Sequence, residues 1–341
     1  MRRPRIARAF IAAALVLVAA LLATVPDAGA ASAGTWNRQD QRAVREAGLM
    51  ANGPDGRFHG ERHLDAGAMR RVLSALAQRR GWAPVSVPAG TVTVERFHAL
   101  LIRQLGLADV AARFRSQASR ASVRPPRRFG SEVVARLLAL RFNHPARDDR
   151  LELFPWDPIT RAEAAYSLAR VDRLGDGDAT YVRSVAQSFV LPRYSARQRR
   201  ALRVAVSKIG MPYVWGGETD GRSALYGSQA HGGYDCSGFV WRVFKLSGDP
   251  AGGLIGGRTA AQMAGEIARP NRVALGNVRP AELLFFGRAG FGSRATERSV
   301  THVGIALSRD FMIHSSAQGV YVSLLRDGGR LGTFSWARRL L

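Results

Sequence analysis

The stretch Tyr234-Asp235-Cys236-Ser237-Gly238-Phe239-Val240-Trp241 constrains this chain most, because it holds the only cysteine. One cysteine cannot make an internal disulfide, so the fold rests on its hydrophobic core and the thiol is either sequestered or kept for chemistry. Gly232-Gly233 interrupt any regular element before the stretch, and Asp235 is a good helix N-cap. Apolar residues then recur at Phe239, Val240, Val243, Phe244 and Leu246 as far as Gly248, the spacing of an amphipathic helix with Cys236 in its first turn. Unpaired amides and the positive end of the helix dipole favour a thiolate there, which is the nucleophilic form. A buried structural cysteine is the alternative for the same residue.

An apolar share of 46% with 22% charged residues is that of globular protein, and 341 residues suffice for two domains. The formal net charge of +24 comes almost entirely from arginine, since Lys208 and Lys245 are the only lysines. Arginine in place of lysine follows a GC-rich coding bias, and no nucleic-acid motif accompanies it, so no nucleic-acid partner is expected. A cationic surface still favours an anionic polymer such as a bacterial cell wall. Residues 1–30 read as a secretory signal peptide: Arg2, Arg3, Arg5 and Arg8, then the apolar run Ala9 to Val25, then Ala28-Gly29-Ala30 as a small-residue cleavage site. The expected location is therefore extracytoplasmic and wall-associated, with a membrane attachment only if that segment stays uncleaved.

The region 31–190 is mainly helical in pattern and faintly repetitive. Gln39 to Leu49 suggests a helix closed by Gly48, and a second helix carries Met69, Val72, Leu73 and Leu76 after Leu64. Thr93 can cap a helix bearing Phe97, Leu100, Leu101 and Leu105. A third unit runs from Ser131-Glu132-Val133 through Phe154-Pro155-Trp156-Asp157-Pro158 to Ile159-Thr160-Arg161-Ala162-Glu163, where Thr160 and Glu163 have capping-box spacing. Arg124-Pro125-Pro126-Arg127-Arg128 reads as a solvated loop and Gly175-Asp176-Gly177-Asp178 as a flexible turn. The aromatic-proline turn followed by Ile-Thr-Arg-Ala-Glu resembles the S-layer homology repeat, three of which form one wall-polymer-binding module. Only the third unit carries the full string, and a plain helical spacer explains the same residues. The junction between domains is expected between Tyr181 and Ala196.

Residues 191–341 change character. A helix from Arg197 to Gly210 is followed by the extended Met211-Pro212-Tyr213-Val214-Trp215-Gly216-Gly217, a long loop and the cysteine helix. Short apolar runs then read as strands at Leu283 to Phe286, Val303 to Leu307, Phe311 to Ile313 and Val320 to Leu324. The expected class is α+β with an antiparallel sheet. A cysteine nucleophile needs a base, and the base an orienting partner. Of the seven histidines, His302 and His314 stand out, because a hairpin turning near Ser308-Arg309-Asp310 sets them directly opposite one another on one sheet face. His302 then serves as base and His314 fixes its tautomer. The alternatives are two unrelated strand-end histidines, or zinc held by Cys236, His302 and His314.

Six segments recur in order: Pro-Tyr-Val-Trp-Gly-Gly at 212–217, Asp-Cys-Ser-Gly-Phe-Val at 235–240, Gly-Arg-Thr-Ala-Ala-Gln at 257–262, Pro-Ala-Glu-Leu-Leu-Phe-Phe at 280–286, His-Val-Gly-Ile-Ala at 302–306 and Ile-His at 313–314. Together they resemble the NlpC/p60 family of papain-like cysteine peptidases over about Gln198 to Leu341. The resemblance implies a peptidoglycan endopeptidase that cuts stem peptides, commonly between D-γ-glutamate and a diamino acid, without cofactor or metal. It makes Cys236 the nucleophile, His302 the general base and His314 the third polar residue. It also puts Tyr213, Asp235, Ser237 and Arg258 at the substrate's amino end. Asp235 has the competing role of helix cap. The loops at 218–233 and 287–301 are longer than the family pattern, and Ala281-Glu282 replaces its common Gly-Asp. A non-hydrolytic wall-binding scaffold, and an amidase or acyltransferase using the same triad, are the other functions such a chain can have.

Overall fold

The computed structural model describes residues 36–221, 223–224, 227–228 and 232–341. The signal-like segment 1–30 and His231 lie outside the described residues. Helices α1 (Arg38–Glu46), α2 (Ala66–Arg80), α3 (Val94–Gln104), α4 (Ala108–Arg120), α5 (Phe129–Leu137), α6 (Arg161–Asp172) and α7 (Asp176–Ser188) build the first half. Side-chain caps set several of their starts: Asp65, Thr93 and Thr160 accept from Ala68, Arg96 and Glu163 N–H groups. Gly48 follows α1 with φ 70°, the left-handed conformation expected of a helix stop. The segments that precede α2, α3 and α6 hydrogen-bond to each other, Leu64 N to Ile159 O and Ile159 N to Val92 O, so three helix starts meet at one seam.

Three local expectations fail, two of them for tertiary reasons. Glu163 does not return to the Thr160 backbone as a capping box requires; its carboxylate instead meets His144 Nε2 at 2.5 Å. Gly175 to Asp178 is no flexible turn, because Asp178 accepts the Gly175 N–H and opens α7. Arg128, expected to be solvated, donates to the carbonyls of Ile209 and Ser207 and so ties the first half to the second.

The second half begins with α8 (Ala196–Ser207), whose N-terminus is a capping box between Ser195 and Gln198. Short pairings of β1 (Glu218–Thr219) with β4 (Gly233–Tyr234) and of β2 (Ser223–Ala224) with β3 (Gly227–Ser228) follow. Next come α9 (Cys236–Phe244), α10 (Ala260–Gly265), β5 (Leu283–Gly287), β6 (Val300–Ala306), β7 (Phe311–Ser316), β8 (Gly319–Leu324), α11 (Arg330–Thr333) and β9 (Phe334–Arg338). Strands β5 to β9 form one antiparallel sheet in the order β8-β7-β6-β5-β9. The chain is thus α+β, with four of the five sheet strands where apolar runs put them and β9 added at the edge.

Helix α9 packs on the sheet face formed by Leu283, Phe285, Val303, Ile305 and Ile313. The same hydrophobic cluster continues without a break into the first half through Phe189, Phe129 and Phe114. Phe189 meets Phe311 edge-on with centroids 4.9 Å apart, and Tyr194 donates to the Leu307 carbonyl at 2.8 Å. The opposite sheet face carries Leu284, Phe286, Ala306 and Met312.

Close backbone approach fixes the N-terminus of α9. A Cβ added at Gly238 falls 1.9 Å from the Gly217 carbonyl oxygen, a backbone atom that cannot swing away. Gly238→Ala is therefore expected to destabilise the protein by about 1–3 kcal/mol or more. Chemical denaturation measures it, and an unchanged midpoint would refute the tight approach.

Candidate active site

Asp235 caps α9 as expected, accepting the Gly238 N–H, so Cys236 is the first helical residue. Cys236 is a half-buried residue and lines a cavity of about 460 Å3 together with Tyr213, Trp215 and His302. The Val303 and Ser237 N–H groups point toward the sulfur. Val303 lies where β6 and β7 have parted, for their ladder holds only Ile305 to Ile313 and Ala306 to Met312. The sulfur thereby meets the sheet at a split between strands.

That register also corrects the hairpin. The turn is centred on Arg309 rather than Ser308, with Leu307 N bonded to Phe311 O. Carried down the strands, it sets Gly304, not His302, opposite His314. A two-residue shift keeps side chains on the same face. Gly304 then clears the space: an added Cβ there would meet His314 Cβ at 3.1 Å. The His314 ring leans across this gap, and its Nδ1 lies 2.9 Å from His302 Nε2. The chain ends on Ser323, whose hydroxyl is 3.0 Å from His314 Nε2. Tyr321 packs against His314 with its ring tilted by 47°, and it accepts a hydrogen bond from Arg330.

Electrostatics here run against the local expectation at Cys236. Burial pushes the thiol up to about 11, and the Asp235 carboxylate adds to that, outweighing the helix N-terminus and its two N–H groups. Burial and then the Arg330 charge push His302 down to about 3. His314 is held well below its ordinary value by burial and its neighbours. The resting site is therefore a neutral thiol beside neutral imidazoles. With His302 Nε2 used by His314, Nδ1 is the ring nitrogen left to accept a proton.

The other expected residues separate into two groups. Tyr213 lines the cavity, and burial together with Cys236 and Asp235 raises its phenol. Asp235, Ser237 and Arg258 form a knot beside it: the Arg258 guanidinium is 3.1 Å from Asp235 Oδ1, 2.9 Å from Ser237 Oγ and 2.8 Å from Glu218 Oε2, and it donates to the Gly216 and Gly217 carbonyls. This knot clamps the start of α9 to the preceding loop. Glu218 belongs to it and is invisible in sequence, because it sits 40 residues from Arg258. Asn143, His144 and Asp149, also on the cavity wall, come from the helical half and carry no local signal. Among the described residues no group of three His, Cys, Asp or Glu is placed to hold a metal ion.

A family model, that of the NlpC/P60 family, matches residues 210–338. The chain carries an NlpC/P60 domain. Its sequence is 30% identical over 138 residues to "Probable endopeptidase Rv2190c" of Mycobacterium tuberculosis, a match covering 40% of this chain and 28% of that one. It is 29% identical over 119 residues to a Gamma-D-glutamyl-L-lysine dipeptidyl-peptidase of Bacillus subtilis, over 34% of this chain and 31% of that one. The chain thus spans less than a third of the length of these relatives. A crystal structure of an NlpC/P60 family protein from Bacillus cereus aligns with a TM-score of 0.32 at 23% identity, over 45% of this chain and 42% of that one. The six motifs quoted above fall within or at the edge of the NlpC/P60 domain, with the helical half outside it.

Proposed function

We propose that this protein is a peptidoglycan hydrolase, a cysteine endopeptidase cleaving stem peptides at the γ-D-glutamyl bond to a diamino acid. The observation that carries the reading is the chain of neutral partners from His302 through His314 to Ser323, in a domain whose Cys236 shares the His302 cavity. The relatives' names support peptidase chemistry and, in one case, that bond.

In this mechanism the substrate amide enters the cavity and the Cys236 proton passes to His302 Nδ1 as sulfur attacks the carbonyl carbon. His302 Nε2–H donates to His314 Nδ1 and His314 Nε2–H to Ser323 Oγ, so one tautomer serves all three. The carbonyl oxygen takes the negative charge and is held by the backbone N–H of Cys236, which has no intrahelical acceptor at this position. The C–N bond breaks, the leaving amine takes the proton from His302, and water then hydrolyses the thioester. The helical half stays with the NlpC/P60 domain as one hydrophobic core, and we assign it to wall attachment outside the cytoplasm.

Digestion of defined muropeptides followed by mass spectrometry tests the reading. Expected products are the fragments on either side of the γ-D-glutamyl bond. Release of intact stem peptides from the sugar would make the protein an amidase, and unchanged masses from folded protein would make it a binder.

A further inference from the structure

One wall of the Cys236 cavity belongs to the helical half. Phe142, Asn143, His144, Ala146 and Asp149 line it, all from the connection between α5 and α6. This wall is built, not draped. Asn143 N–H donates to the Ala317 carbonyl at 2.8 Å, its Nδ2 donates to the Tyr213 carbonyl at 2.6 Å, and the Asp149 carboxylate accepts the Trp215 N–H. From behind, Glu152 accepts the His144 N–H at 2.6 Å, and Glu163 meets the His144 ring.

Its polarity is unbalanced. Asn143 is 8% exposed, and with Nδ2 spent on Tyr213 its Oδ1 has no partner among the described residues; His144 Nδ1 is buried without one as well. Asp149 is also 8% exposed, and it is the one carboxylate among the residues lining the cavity. The carboxylate expected there from sequence, Asp235, is engaged by Arg258, the Gly238 N–H and Ser237, and does not line the cavity. Burial raises the Asp149 carboxyl, so an arriving cation relieves a cost already present in the free protein. Phe142 of this wall and Trp215 across from the helical half stand 47% and 77% exposed at the same cavity, apolar surface open to a ligand.

We propose that the Phe142–Asp149 wall is a substrate subsite in which the Asp149 carboxylate receives an ammonium group of the bound peptide. The inference rests on the peptidase reading and assigns part of substrate selection to the helical half. An ammonium is the fitting ligand because it offers a full positive charge and N–H donors to the one carboxylate among the residues lining the cavity. Two ammonium groups are available on a stem peptide, the free α-amine and the side chain of the diamino acid.

The test uses full-length protein, wild type and Asp149→Asn, with L-alanyl-γ-D-glutamyl-L-lysine, its N-acetyl form, and the analogue with norleucine for lysine. Binding is measured on the Cys236→Ala background and kcat/KM on the active one. Asp149→Asn keeps the acceptor for the Trp215 N–H and is expected to weaken binding and kcat/KM roughly ten- to hundredfold for the lysine peptide. One analogue should become insensitive to the substitution, and that analogue names the ammonium that Asp149 holds. Equal losses on all three peptides, or no loss on any, would overturn the assignment. Because binding is read without turnover, failure of the hydrolase reading leaves this test intact. Asp149→Ser, which keeps a hydroxyl oxygen and removes the charge, is read on the same three peptides where Asp149→Asn fails to fold.

Discussion

Cys236→Ser is expected to lower kcat by about four to six powers of ten while leaving the fold intact. The volumes of the two side chains are close, and α9 keeps its Asp235 cap and its packing against the sheet. What disappears is the proposed nucleophile: a serine hydroxyl with no charged base beside it is far harder to deprotonate than a thiol, and His302 is held neutral by burial. Residual turnover would come from positioning and from amide donors near the sulfur, which the substitution does not touch. Rates on a stem peptide and the thermal midpoint of both proteins measure this. Turnover within tenfold of wild type would remove the thiol from the mechanism and with it the proposed function.

Much of this site was legible in sequence because local rules govern it. An aspartate before an apolar 3.6-residue pattern starts a helix wherever the helix packs, so Cys236 had to lie in its first turn. Short apolar runs gave four sheet strands, and hairpin geometry brought His302 and His314 to one face even though the register was two residues out. The error came from the turn: Ser308, Arg309 and Asp310 form a three-residue connection centred one residue later than the pairing assumed. It was harmless because strand periodicity is two, and Gly304 made the diagonal contact possible.

What stayed hidden depends on contacts far apart in the chain. The ionisation of Cys236 was read from its helix terminus, yet the surrounding protein decides it, and burial wins. Arg258 matched a motif, and its hydrogen bonds to Glu218 and Asp235, which brace a loop, were not visible there. Residues 142–149 look like an ordinary connection because nothing in their own spacing says that Asn143 will bond to Tyr213. A loop becomes a cavity wall only through the domain it touches.

His302→Ala is expected to separate two properties that a preformed thiolate–imidazolium pair would lose together. Hydrolysis should fall by about two to four powers of ten, since in the proposed mechanism the general base and the proton donor to the leaving amine are one ring. Alkylation of Cys236 by iodoacetamide should change little at pH 6–8, because the neutral imidazole supplies no charge to hold a thiolate. The pH dependence follows from the same shifts. With the thiol raised to about 11, the thiolate fraction climbs about tenfold per pH unit up to that value, and with His302 near 3 the base is already unprotonated above about pH 4. The alkylation rate of wild type should therefore rise steadily from pH 5 to pH 10. A plateau reached by pH 5, abolished in His302→Ala, would mean that the imidazole is charged at rest, and the neutral-pair mechanism would give way to an ion pair. Arg330 supplies an internal check, for its charge is the second cause of the low His302 value. Arg330→Gln should move the acidic limb of hydrolysis upward in pH, since removing a neighbouring positive charge makes the imidazole easier to protonate.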